Sequence, residues 1–456
     1  MKNIAKVWRS STAFLLSAFS FLILITSCSN ELDDTLQPVE NGTLQFVVGD
    51  FPAFGEGTQT RVIGTQDEGK TAWANEDKIL VHLYSQKYGD QAVTLTFDAE
   101  NNTWESDGGT LSYLENETPT ITAVYAPDCE IKSDKTIGIL EGKQYGEAEY
   151  ILARTTISEN SLDINFESGR TYSRLRIAGL ANQTLTVTTT DFTPAGATEV
   201  ATAAYTLTTD NNGNAFLYGV LAEGATVSVK QGDITLKDYT FTTEKNPNGT
   251  EHNKSYALDA RPVIDGTLGG KATATEDDIT ALVEQLKEYV DNGITTIIVP
   301  GSQPATIDMG LWINTAIGEA IYRLSKDESY NGKIDLILPD VTEIFDQEFH
   351  SARALNSITL PKVTNLADQA FYGTLYLRTI TFGSVITEVN ELGAIFNQVG
   401  YNVGGCDLIL NCGQMNESNV PAPDLTNNIW KFKFENEFKS ITLTHTGECD
   451  ECKANQ

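Results

Sequence analysis

The chain has 456 residues, with 62 acidic against 31 basic side chains and a formal net charge of −31. It is long enough for two or three domains with real cores, and a charge of that sign and size repels phosphate backbones, so nucleic acid is excluded as a partner. Beyond the N-terminal segment no stretch is apolar enough to cross a membrane as a helix.

The segment Met1–Cys28 reads as an export signal. Lys2, Lys6 and Arg9 precede an apolar run from Ala13 to Ile25. That run is too short to span a bilayer, which takes about 20 residues, but it suits a signal-peptide core. It ends in Ile25-Thr26-Ser27-Cys28, which resembles a bacterial lipobox. The resemblance implies that Cys28 is diacylated and becomes the new N-terminus, the alternative being an ordinary cleaved signal peptide. Residues 29–42 are polar and acidic and include Pro38, the composition of a flexible tether. Glu31, Asp33 and Asp34 resemble the surface-export signal of Bacteroidetes lipoproteins, which implies an outer membrane lipoprotein exposed on the cell surface. Asp34-Thr35-Leu36 resembles the O-glycosylation pattern of exported proteins in the same group and makes Thr35 a candidate acceptor.

From Thr43 to about Ala260 the sequence reads as all-β. Runs rich in Thr, Val, Tyr and Phe, such as Ile79–Tyr84, Val93–Phe97, Thr120–Tyr125 and Leu185–Thr189, are separated by Gly, Asn and Asp turns. Two β-sandwiches are expected, over residues 43–135 and 136–261. Asn212-Gly213 predicts a β-hairpin, because a type I′ turn needs positive φ. The surrounding run Asp210-Asn211-Asn212-Gly213-Asn214 lacks the downstream glutamate of a calcium loop and reads as that turn.

The order of short motifs in this half resembles fimbrillin-like domains. Thr60-Arg61, Trp73-Ala74-Asn75-Glu76-Asp77-Lys78-Ile79, Trp104 and Ala123-Val124-Tyr125-Ala126-Pro127 come first. Phe166, Ser173-Arg174-Leu175-Arg176-Ile177 and Lys254-Ser255-Tyr256-Ala257-Leu258 follow. The resemblance implies a two-domain β-sandwich lipoprotein related to the subunits of strand-exchange pili. In those pilins a protease cuts after an arginine near the N-terminus, which makes Arg61 a candidate processing site and Thr43–Val48 the strand that cutting would remove.

Residues 262–275 are a small-residue linker with Gly266, Gly269 and Gly270. Thr275 and Asp278 then predict a capping-box helix start. Ile279, Leu282, Val283, Leu286 and Val290 form one apolar stripe, which Asn292-Gly293 ends. A short strand over residues 295–299 and a second amphipathic helix with Ile313, Ile317, Ala320, Ile321 and Leu324 come next.

A repeat follows. Leu336, Leu338, Pro339, Val341, Ile344 and Phe349 recur at one constant offset as Ile358, Leu360, Pro361, Val363, Leu366 and Phe371, and at the same offset again as Ile380, Phe382 and Val385. A period of roughly 20–29 residues with a short strand per unit is that of a leucine-rich repeat. Leu355-Asn356-Ser357-Ile358-Thr359-Leu360-Pro361-Lys362-Val363-Thr364, with Ala370-Phe371, resembles the BspA type. Broken copies stand at Leu408-Ile409-Leu410 and Ser440-Ile441-Thr442-Leu443. The expected fold is therefore mainly β and multidomain: two fimbrillin-like sandwiches, then a short solenoid over residues 276–456 with its helices as an N-terminal cap. Asp335, Ile337, Ser357, Thr359, Thr379 and Thr381 alternate with the core positions and form the candidate binding face.

Signals of catalysis are missing. His82, His252, His350 and His445 are not spaced as metal ligands, and there is no Gly-x-Ser-x-Gly elbow, His-Glu-x-x-His or phosphate loop. Cys406, Cys412, Cys449 and Cys452 read as disulfides or free thiols of an exported chain. No cofactor or metal is expected, and no enzyme. The resemblance to BspA-type repeats implies adhesion to a host or bacterial surface protein or a glycan, on a stalk anchored to the membrane by lipid. A fimbrial accessory subunit bound to other subunits, and a glycan-capturing surface lipoprotein, are the alternatives.

Overall fold

The computed structural model describes residues 44–56, 70–114, 116–158, 160–166, 170–242, 249–264, 273–301, 305–306, 313, 315–389, 395–415 and 438–445. Cys28, Thr35, Arg61, Cys449 and Cys452 lie outside the described residues. The described chain is mainly β, with two helices and several sheets arranged around three hydrophobic cores.

The first core lies between two sheets. One is five-stranded, in the order Thr103–Ser106, Gly89–Asp98, Lys78–Ser85, Thr120–Tyr125, Ile151–Leu152. The other joins Gln45–Val48, Ser161–Asn165 and Arg154–Ser158. Alternation of apolar and polar residues turns Ile79, Val81, Leu83, Val93 and Leu95 inward, against Leu162, Ile164 and Phe166. The expected boundary at residues 135/136 is therefore displaced. Residues 151–166 belong to the first core, because their strands close its second sheet.

The Trp73–Ile79 motif has a local physical role. Asp77 Oδ2 accepts from Ala74 N at 2.6 Å and pairs with Lys70 Nζ, while Glu76 takes φ 66°. Trp73 Nε1 donates to Gly49 O at 2.9 Å, and its ring meets Phe51, Trp104, Tyr125 and Phe166 edge-on. The motif is a turn that fastens the N-terminal segment to the core.

That segment acts as a strap. Gln45–Val48 pairs with Ser161–Asn165 of the first sandwich, and Gly55–Glu56 pairs with Lys254–Ser255 of the next sheet. Along the strap Leu44, Phe51 and Phe54 are buried. Arg170 donates to the Pro52 carbonyl and to Glu149 Oε1, at 2.7 Å for the latter, with its guanidinium 3.6 Å from the Phe54 ring centroid.

The second core sits inside one eight-stranded sheet that folds over on itself. The long strand Thr184–Pro194 pairs with Ala201–Thr208 and Thr226–Gln231 along its first half, and with Asn214–Leu221 only at Phe192–Pro194. Register breaks between Thr189 and Phe192, where Asp191 takes φ 47°, a bulge that carries the strand from one layer to the other. This overturns the expected hairpin. Gly213 does adopt φ 79° in a turn closed onto Asp210. However, Ala201–Thr208 and Asn214–Leu221 do not pair with each other; both bond to Thr184–Pro194, the first chiefly over Thr184–Thr189 and the second at Phe192–Pro194.

The third core unites both helices with a stack of parallel strands. Helix α1, Glu276–Asp291, starts at the Thr275–Asp278 capping box and turns Ile279, Leu282 and Leu286 inward. Helix α2, Ala316–Lys326, is capped by Thr315 and buries Ile317, Ala320, Ile321 and Leu324. Six strands stack in parallel: Thr296–Ile298, Ile334–Ile337, Leu355–Leu360, Thr379–Phe382, Asp407–Asn411 and Ser440–Thr444. A second ladder of two-residue strands, Glu343–Ile344, Asn365–Leu366 and Glu388–Val389, runs beside it. The linker expected over 262–275 is partly absorbed into this unit. Ile264 N donates to Ile298 O and Ile298 N to Pro262 O, both at 2.9 Å, and Ile264 and Ala274 are buried in the third core.

Candidate binding face

The parallel register fixes which side chains share the outer face of the ladder. Ser357 pairs with Asp335 and Thr379, Thr379 pairs in turn with Asp407, and Asp407 with Ser440. The second row runs Ile337, Thr359, Thr381, Ile409 and Thr442. Leu336, Ile358, Ile380 and Leu408 point the other way and are fully buried. All six residues read from the sequence therefore lie in these two rows, about 4.8 Å apart from strand to strand. Asp407, Ile409, Ser440 and Thr442 extend them. The broken copies at 408–410 and 440–443 carry that signal, but their longer spacing hides the register.

Polar groups within the rows are unevenly engaged. Asp335 Oδ1 accepts from Ser357 Oγ at 2.6 Å and from Asn356 Nδ2 at 2.7 Å, beside a register shift at Ile334/Asp335. Asp407 Oδ1 accepts from Ser440 Oγ at 2.7 Å. That bond, with help from Lys439, holds the Asp407 carboxyl below the usual carboxylate range. By contrast the hydroxyls of Thr359, Thr379 and Thr381 make no side-chain hydrogen bond among the described residues. They are left for water or a ligand.

An open concavity of about 390 Å³ lies elsewhere, against Asn75, Asp98, Glu100 and Glu105 of the first sandwich. Of the histidines, His82 Nε2 meets Asp90 Oδ1 at 2.8 Å, and His350 stacks on Tyr372 at 5.2 Å. Among the described residues no group of three His, Cys, Asp or Glu is arranged to hold a metal. Cys406 and Cys412 are both buried and do not bridge one another. Burial pushes the Cys406 thiol up to about 12, which leaves it an unreactive thiol.

No family model and no curated protein matches the chain. Among solved structures, a candidate cell adhesion protein from Bacteroides fragilis is similar over 49% of this chain and 94% of its own, at 11% identity and a TM-score of 0.26. A fimbrial protein from Bacteroides ovatus gives 9% identity over 49% of each chain, TM-score 0.23. A candidate cell adhesion protein from the same species gives 13% identity over 49% of this chain and 92% of its own, TM-score 0.24. At these scores the likeness assigns neither fold nor function.

Proposed function

We propose that this chain is a non-enzymatic cell-surface lipoprotein that works as an adhesin or binding protein. The sandwiches form a stalk on the lipid of Cys28, and the ladder presents the binding face. One observation carries the reading: two rows made mostly of small polar side chains stand in register across the ladder, and three of their threonine hydroxyls are unengaged among the described residues. A periodic surface of this kind suits recognition of a protein or glycan, since the contacts repeat with the strand spacing. The resemblance of the repeats to the BspA type supports the same reading.

The test is an array of glycans and matrix proteins probed with the full chain and with Thr359→Lys/Thr381→Lys. Binding by the parent protein that falls at least about tenfold in the variant, with circular dichroism unchanged, is the expected outcome; a lost central contact is worth about 1.4 kcal/mol or more. Equal binding by a folded variant, or none by either protein, overturns the reading.

A second reading, a fimbrial accessory subunit joined by strand exchange, has its own observation. The strap of residues 44–56 supplies three buried apolar side chains and a strand to the first sandwich, and Arg61 follows it. N-terminal sequencing of surface-extracted protein separates the two readings.

A further inference from the structure

Lys333, Arg353 and Arg378 stand at the entry ends of three successive ladder strands, Ile334–Ile337, Leu355–Leu360 and Thr379–Phe382. Lys333 Nζ donates to the Arg353 carbonyl at 2.6 Å and lies 4.4 Å from the ring centroid of Tyr376. Arg353 Nη2 donates to the Asp327 carbonyl at 3.2 Å. Arg378 is exposed, its backbone fixed by bonds to Asn356 O and from Asp407 N. Lys333 and Arg353 thus rest on carbonyls and an aromatic ring. None of the three has a carboxylate within ion-pair distance among the described residues.

The neighbouring acids are already engaged. Asp327 is taken by Lys287 and Ser329, Asp335 by Asn356 and Ser357, and Asp407 by Ser440 and Lys439. Burial first, then the charges of Arg353 and Arg378, push the Lys333 ammonium below the usual lysine range, so the three groups feel one another. Acidic residues outnumber basic ones two to one in this chain. Unbalanced clustering of like charge is unfavourable by Coulomb's law, and an anionic ligand would relieve it.

We infer that Lys333, Arg353 and Arg378, with Tyr376, form a subsite for the acidic group of a sugar, a carboxylate or sulfate, at the margin of the ladder face. The inference rests on the binding reading above and names the class of ligand. The arginines offer paired donors to a planar or tetrahedral oxyanion. The Tyr376 ring offers an apolar edge for the sugar, and Ser357 and Thr379 bring hydroxyls from the adjoining row. A net charge of −31 opposes a long polyanion approaching the whole molecule, whereas a single acidic group within a Debye length of about 8 Å senses the local cations.

The experiment is calorimetric titration of the full chain with 3′-sialyllactose, lactose 3′-sulfate, lactose and a glutamate-rich peptide, at low and high salt. Binding of one or both acidic sugars over lactose, weakened by salt, is expected. Arg378→Gln and Lys333→Gln should each reduce it about tenfold or more, the worth of one charge-assisted hydrogen bond, and Lys143→Gln on the first sandwich should not. Arg378 is exposed, so a fold-neutral variant is available if Lys333→Gln unfolds. No preference over lactose, or equal binding of the peptide, overturns the acidic-sugar subsite. If the array of glycans and matrix proteins still finds a neutral ligand sensitive to Thr359→Lys/Thr381→Lys, the binding reading survives and only this subsite fails.

Discussion

Asp327 shows how one side chain ties the two helices together. It follows α2, and its Oδ2 accepts from Lys287 Nζ of α1 at 2.6 Å while Oδ1 accepts from Ser329 N at 3.0 Å. The lysine first, then the serine, lower the carboxyl from the usual 3.8 to about 2. A depressed carboxylate is a group that folding deprotonates. Any stability it supplies is present above about pH 4 and lost as pH falls through about 2. A half-exposed pair of this kind contributes little energy, so the sharper readout is the titration itself. The expected NMR midpoint for Asp327 is about 2 in the parent chain, moving up towards 3.8 in Lys287→Met. A midpoint unmoved by that substitution would show that the serine alone sets it. None of this is legible in one dimension, because residues 287 and 327 meet only through helix packing.

At the scale of elements the sequence is most legible where its period is strict. Phe349, Phe371 and Phe396 stack along the ladder at 5.6 and 5.7 Å with nearly parallel rings. The first two follow from the repeat offset. After Phe382 the unit lengthens. Ile386, not the expected Val385, occupies the buried position, and Glu388 rather than Thr387 pairs with Asn365. Gly383 marks the slip: a Cβ there would stand 2.8 Å from Pro361 Cα, so the backbones approach too closely for any other residue. Phe371 is fully buried between its two neighbours, and Phe371→Ala should cost roughly 3–5 kcal/mol. Because the ladder and the helices share a core separate from those of the sandwiches, that loss should move one calorimetric transition and leave a second in place. A single transition shifted as a whole would refute the separation.

Across the whole molecule, the strap of residues 44–56 links the two sandwiches through paired strands at both of its ends. Tyr218 and Val220 of the second sheet also pack against the first core. The sandwiches are therefore coupled, and losing the strap would remove Leu44, Phe51 and Phe54 from the first core. Each such side chain is worth roughly 1.5–3 kcal/mol of burial, so removal without a replacement strand is strongly unfavourable. The expected result of N-terminal sequencing is accordingly a chain retained from Cys28 and monomeric in extracts. A chain beginning at Val62 in high-mass ladders would establish the fimbrial reading instead.

Patterns that repeat along the chain were determined by the sequence itself: the alternation of the β half, the helix stripes and caps, and the inward and outward sets of the ladder. These depend on the strand, helix and repeat periods, which survive in one dimension. Tertiary structure alone decided what rests on long-range pairing. It moved the boundary between the sandwich cores beyond residue 166, and it split the strands flanking Asn212-Gly213 between two layers. Likewise it docked Pro262–Ile264 on the ladder and gathered Lys333, Arg353 and Arg378 at one margin. A turn dipeptide specifies a reversal but not the strand's partner, and three cations unequally spaced along the chain show no pattern until the strands that carry them stack in register.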